Sequence, residues 1–292
     1  MRRHRFPPYR PTIRTGSDCV RLSLLLALLS VTTVASAQPA APVLLRLQPH
    51  VGDTLHSWLE QRTEVTTESA SPAGPSRGVT TSVSIHSRTI VRTVRSTSTT
   101  VLTIVDSAIF SSTDSHSASM IAEAGRALRG QQLELQLGVD GTVESARDAR
   151  GMALSRDATD AMAAMPAVFP KRPVVVGEQW VRELPLPAGG PLGARGSGHV
   201  RAVFHLDSME RGATVAYVSM RGEILPDSTA QGVALSGSIS GALQIDRVRG
   251  WMTDSRFLVV LQSVVTPPAS SGLAPMRLMT RVTQRLRTMD KR

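Results

Sequence analysis

Six histidines, His50, His56, His86, His116, His199 and His205, follow residue 37, and imidazole is the commonest protein ligand for a transition metal. Their spacing argues against a shared ion. His199 and His205 fall on one face of a strand pattern, but six residues of strand span about 20 Å, and the same distance separates His50 from His56 if that segment is extended. Asp157 and Asp160 stand three apart on a helical pattern and could share a proton, although carboxylates near a helix N-terminus are favoured by the dipole alone. Gly237-Ser-Ile-Ser-Gly241 carries its second serine one place too late for a nucleophile elbow and lies inside a strand pattern. Gly193-Ala-Arg-Gly-Ser-Gly198 has neither dinucleotide nor phosphate-loop spacing. The single cysteine, Cys19, precedes an apolar run near the start, so the rest of the chain has no thiol for a disulfide, a nucleophile or a zinc site. No nucleophile and base can be named, and the reading is non-enzymatic, with no catalytic, metal or cofactor-binding residues assigned.

The formal charge of +10 suggests an anionic partner until it is located. Residues 38 to 274 hold 21 basic and 21 acidic side chains. The excess sits at the two ends: six arginines precede residue 22, and Arg277, Arg281, Arg285 and Arg287 crowd the last stretch. A balanced body with 3% aromatic residues has neither the phosphate-neutralising surface nor the stacking platforms of a nucleic-acid binder.

The first arginines, the apolar run Leu22 to Val34 and the sequence Ala35-Ser-Ala37 form the three parts of a secretory signal peptide, with cleavage expected after Ala37. The apolar part is short for a membrane span, and none is expected in the mature chain. The destination read from this is secreted or periplasmic, and residues 38–292 are expected to form a single β-rich domain.

Period-two alternation runs through most of that domain. Along Gly232 to Asp246, Val233, Leu235, Gly237, Ile239, Gly241 and Leu243 share one face, while Ser and Ala hold the other. Val200 to Leu206 and Val79 to Val91 follow the same rule. Turn signals at Asp140-Gly141, Glu210-Arg-Gly212 and Arg247 to Gly250 favour antiparallel hairpins, the first with both central residues at positive φ. Eight to eleven strands are expected, enough to make a sheet curl. The fold class is mainly β: a large curved antiparallel sheet or half-barrel covered by one or two helices, at 153–165 and 119–128. A Gly/Pro-rich loop over 185–198 either lies within this domain or divides it in two; the first is favoured because neither side has a complete set of strands. The segment Met276 to Asp290 reads as a strand with its arginines on one solvent face, blunting a sheet edge, or as a basic amphipathic helix. Frequent Thr and Val favour the strand. An outer-membrane barrel is disfavoured by the shortage of aromatic girdle residues.

The stretch Val168 to Trp180 holds two prolines, four valines and Gly177 ahead of a large aromatic anchor, and reads as a structural lead into a strand. Together with Leu44 to Gly52, Leu137 to Val143 and the hairpin through Gly250, it resembles an uncharacterised family of secreted bacterial β-rich proteins, a resemblance that implies no activity. The architecture is also similar to periplasmic lipoprotein-carrier half-barrels. Two functions are therefore expected in order. In the first, a lipid or other hydrophobic ligand occupies a groove over Val233, Leu235, Gly237, Ile239, Gly241 and Leu243. In the second, Arg277, Arg281, Arg285 and Arg287, or exposed strands, dock an envelope protein.

Overall fold

The computed structural model divides the chain into two units, Met1–Pro39 and Ala40–Arg292. The structure describes residues 41–69, 77–150, 168–186, 198–210, 212–226, 233–265 and 275–290, all in the second unit, so the expected signal peptide and the helix at 153–165 lie outside the described residues. Eleven strands and one helix follow in order: β1 (Thr54–Ser69), β2 (Arg77–Val94), β3 (Ser98–Ser112), α1 (Ser115–Leu128), β4 (Gln132–Gly138), β5 (Val143–Asp148), β6 (Gln179–Leu186), β7 (Gly198–Glu210), β8 (Val215–Pro226), β9 (Val233–Asp246), β10 (Trp251–Val265) and β11 (Met276–Asp290). All eleven form one antiparallel sheet in the order β5-β4-β3-β2-β1-β11-β10-β9-β8-β7-β6. The sheet is not closed, and it fits the curved-sheet class read from the alternating patterns. β6 and β7, which flank residues 187–197, pair with each other from Gln179↔His205 to Leu186↔Gly198.

Two meanders, β1 to β5 and β6 to β11, are sewn together by their first and last strands. The seam runs from Leu55↔Asp290 to Ser69↔Met276. The last segment is thus a strand with its arginines on alternate positions, as its Thr and Val content favours. It is not an edge, however: β11 lies between β1 and β10, in the middle of the sheet. Local alternation reveals a strand but carries no information about which distant strand pairs with it.

Curvature follows from which strands share a core. Leu137 of β4 packs against a cluster that includes Trp180 of β6, Phe204 of β7, Met220 of β8 and Leu243 of β9, although β4 and β6 are nearly opposite ends of the strand order. The sheet must curl to bring them together. Val43, Leu45 and Leu47, buried at alternate positions, cross one end of the curl. Val43 exchanges two backbone hydrogen bonds with Val174, the Leu47 amide donates to the Val139 carbonyl, and the Gln48 amide donates to Arg249. Gly250, at φ 60°, is packed so closely on the Arg46 backbone that a Cβ would overlap the Arg46 carbonyl. Only glycine serves there.

The stretch from Val168 to Trp180 fastens the same end. Phe169 is 3% exposed and its amide reaches the Asp140 carbonyl at 3.4 Å. The Trp180 indole donates to the Val168 carbonyl at 3.0 Å and stacks on Phe204, with centroids 5.6 Å apart. Burying side chains of this size stabilises by about 1.5–3 kcal/mol each.

The Asp140-Gly141 turn forms by a different route from the one its sequence suggested. Only Gly141 has positive φ, at 84°, and the Gly141 amide donates to Gly138. The result is a three-residue loop in which a left-handed glycine follows a type I turn. Asp140 keeps an ordinary φ because its side chain is occupied: Oδ1 accepts from the Thr142 amide at 3.1 Å and the Thr142 hydroxyl at 2.6 Å. The helix α1 starts four residues before the expected Ser119, because Asp114 caps it by accepting from the His116 amide and the Ser117 hydroxyl. Those bonds, the one from Ser117 first, hold the Asp114 carboxyl below its ordinary range. The helix packs on β3 through buried Gly125, where a Cβ would stand 3.3 Å from the Phe110 ring.

Candidate functional site

Strand register separates the chemistry of the two faces. On β1, Glu60, Arg62, Glu64 and Glu68 alternate with Leu59, Gln61, Thr63, Val65 and Thr67. The pairing carries that division across neighbours: Glu60 stands opposite Arg285, whereas Leu59 stands opposite Leu286 and Ile85. Followed through every ladder, the face that holds the core carries no ionisable residue on β1, β3 and β4, on β2 from Val79 onward, on β7 to β10, or on β11 from Met276 to Thr288; Arg77, at the first position of β2 opposite Thr67, is the exception, and only its strand position is described. Arg182 and Asp148, on the two edge strands, are its charged borders. Because the core lies on this face, it is the concave one.

The concave face is filled unevenly. Along β7 and β8, Ala202, Phe204, Leu206 and Ala216 are fully buried. Along β1, β2 and β11, Leu59, Val65, Val79, Val83, Ile85 and Val282 are only half-buried. Among the described residues the only helix, α1, packs on β3, and none lies over β1, β2 or β11. Hydroxyl and amide side chains are interspersed there. Thr63, Thr89 and Thr280 are buried, the Thr89 and Thr103 hydroxyls stand 3.1 Å apart, and Gln61 faces Gln284 across the seam. The buried Ser255 hydroxyl has no hydrogen-bond partner.

The six residues singled out on β9 do share the concave face, but among the described side chains the room is already taken. Leu235 and Leu243 are core residues, exposed by 4% and 2%, and Ile239 packs against the same cluster. A Cβ at Gly241 would stand 2.5 Å from the Phe257 ring and 2.6 Å from the Arg256 carbonyl, and one at Gly237 would overlap the Val260 carbonyl. These glycines admit neighbouring strands and an aromatic ring, not a guest, which corrects the expectation of a vacant groove at them. Of Val233 only the strand position is described. The half-buried stretch on β1, β2 and β11 was missed because its alternation of Leu, Gln, Thr and Val looks like any half-buried strand.

The four arginines of β11 lie on the opposite, convex face, each facing a complementary residue on β1. Arg277 faces Glu68, Arg281 faces Glu64, Arg285 faces Glu60 and Arg287 faces Trp58. The Arg287 guanidinium lies 5.3 Å from the Trp58 ring centroid, and Arg285 also pairs with Asp254 at 2.9 Å. Opposite charges directly across an antiparallel pair are a standard stabilising arrangement. A depression of about 380 Å³ lined by Glu60, Arg62, Ser82 and Arg285 lies on this convex face.

Polar groups elsewhere fasten the fold. His205 Nδ1 is 2.5 Å from Asp207, its other ring nitrogen is 3.1 Å from the Gly177 carbonyl, and the Ser219 hydroxyl donates to Asp207 at 2.9 Å. The serine therefore meets the carboxylate and not the imidazole, so this group lacks the connectivity of a nucleophilic triad. Asp140 and Arg182 pair at 3.1 Å, and Arg182 also donates to the Phe169 carbonyl, linking the β4–β5 turn to edge strand β6. Burial tends to raise the Asp140 carboxyl, but the Thr142 hydrogen bonds and the Arg182 charge outweigh it and hold the group below its ordinary range. No group of three or more His, Cys, Asp or Glu among the described residues could hold a metal ion.

The second unit is thus a curved antiparallel sheet with a charged convex face and a concave face whose charges lie at its borders. No family model matches the chain, and no curated protein matches it. Among solved structures it is similar to the outer membrane protein OprG from Pseudomonas aeruginosa, at 6% identity and a TM-score of 0.21 over 84% of this chain and 100% of that one. It is also similar to DynF from the dynemicin biosynthesis pathway of Micromonospora chersina, at 7% identity and a TM-score of 0.22 over 85% and 89%. An outer membrane channel from Pseudomonas putida F1 aligns at 11% identity and 0.20 over 83% and 97%. Likenesses this loose assign neither fold nor function. The face polarity is also the reverse of a membrane barrel's, which turns an apolar band outward, whereas this convex face carries Glu60, Arg62, Glu64, Arg281 and Arg285 along its central strands.

Proposed function

We propose that the mature chain is an exported, non-enzymatic binding protein that holds a lipid or another apolar ligand on the concave face of its sheet, along β1, β2 and β11. The observation that carries this reading is the half-buried apolar stretch Leu59, Val65, Val79, Val83, Ile85 and Val282, with no charged residue among the positions between them on that face. A concave apolar surface with a few polar groups is the usual form of a small-molecule site. Export rests on the basic, apolar and Ala-x-Ala order of the first 37 residues. Docking of an anionic envelope partner through the β11 arginines has less support, since each of them already faces an acid or an aromatic ring on β1.

Native mass spectrometry with solvent extraction, on residues 38–292 purified from a bacterial periplasm, tests the reading. A stoichiometric co-purifying lipid is the expected result. A clean apo mass that persists after incubation with envelope lipids would overturn it.

A further inference from the structure

Building on that reading, we infer that the part of the ligand seated on the concave face is uncharged: a neutral amphiphile, such as a fatty alcohol or acylglycerol, whose hydroxyl or ester oxygens meet the seam between β1 and β11. Three observations carry this. First, the middle of the face, Leu59 to Val65 on β1 with the β2 and β11 positions opposite them, presents no Lys, Arg or His, Arg77 standing at the far end of β2 opposite Thr67, so a carboxylate or phosphate seated at the middle of the seam would have no cation to pair with. Arg182, on this face at the β6 edge, already serves Asp140 and the Phe169 carbonyl. Second, Gln61 and Gln284 stand opposite one another on the seam, with apolar Leu59 and Leu286 on one side and Thr63 and Val282 on the other. Two facing carboxamides offer donors and acceptors at one depth of an otherwise apolar surface, the pairing that a hydroxyl or ester needs and that a plain hydrocarbon cannot use. Third, the fully buried Ser255 hydroxyl, 1% exposed and without a partner, sits on the same face beside Leu286. The polar groups on offer at the middle of the seam are neutral.

The test is competition. Residues 38–292 are loaded with a C16 alcohol carrying an uncharged environment-sensitive fluorophore and then challenged at pH 8 with monooleoylglycerol, oleate or dioleoylphosphatidylglycerol. Monooleoylglycerol is expected to displace the probe at least tenfold more effectively than either anionic lipid. Gln61→Lys is expected to shift the preference tenfold or more toward oleate. If that variant fails to fold, Gln284→Leu serves instead and is expected to weaken monooleoylglycerol about tenfold while leaving a hydrocarbon probe unaffected. Equal or better displacement by oleate in the unaltered protein would overturn the neutral-ligand inference while leaving a binding face in place. Failure of every probe to bind would overturn the binding reading as well.

Discussion

Strands β7 and β9 and strands β1 and β2 follow the same period-two rule, yet they complete their concave faces differently. On β7, Val200, Ala202, Phe204 and Leu206 meet Val43, Leu45, Leu47, Phe169 and Trp180 in one packed cluster. On β1 and β2, the equivalent positions hold a mixture of aliphatic, Thr and Gln side chains, of which Leu59, Gln61, Val65, Val83 and Ile85 stay half-buried. The difference comes from what crosses the face: two segments outside the strands, Val43–Leu47 and Val168–Val174, fill the first region, and no described segment fills the second. Alternation therefore establishes which side of a strand is turned away from water, while occupancy depends on segments distant in sequence.

The sharpest way to break this contrast is to truncate one side chain in each region. Phe204→Ala, at a position with 0% exposure, is expected to cost about 3–5 kcal/mol in urea unfolding. Ile85→Ala, half-buried, is expected to cost about 1 kcal/mol or less while weakening ligand binding. Similar losses at both sites would erase the distinction.

Glycines probe the same contrast by addition. Gly241→Val is expected to destabilise by about 1–3 kcal/mol, because the new side chain meets the Phe257 ring and the Arg256 carbonyl. Gly78→Ala, at the start of β2 with no atom within 4 Å, is expected to be neutral or to stabilise by about 0.5 kcal/mol. Thermal midpoints of the two variants would read this directly.

Asp140 ties the β4–β5 turn to the packed region, and Asp140→Asn is expected to cost about 1–2 kcal/mol at pH 7. The folded carboxyl lies below its ordinary range, so its contribution is complete above an unfolded value of about 4 and disappears as pH falls through the folded value. Urea midpoints measured from pH 7 down to pH 3 should fall more for the unaltered protein than for the variant. The smallest effect is expected on the convex face, where Arg281→Ser should change stability by no more than about 0.5 kcal/mol, since exposed cross-strand pairs are screened by solvent.

Much of the architecture was legible in the residues. Alternation marked β7, β9 and β11, Gly-containing turns marked three hairpins, and the helical spacing before Leu128 marked α1. The seam was not: nothing in Met276–Asp290 says that its partner is Thr54–Ser69, some 220 residues earlier, and an arginine-rich strand reads as an edge until the glutamates opposite it are known. Gly237 and Gly241 misled for a related reason, since a missing side chain marks either an empty space or a close approach, and only the Val260 carbonyl and the Phe257 ring distinguish the two. The six residues singled out on β9 and the half-buried stretch on β1, β2 and β11 share one face of the sheet, but only the second is left uncovered by described segments.

The seam between β1 and β11 also has a kinetic consequence. Its pairs join residues more than 200 positions apart, the costliest kind of loop to close, so the sheet cannot be completed until its last strand has emerged. Until then each meander can pair strands only within itself. Such a chain gains little from folding as it is synthesised and is suited to threading through a translocation channel first and folding afterwards.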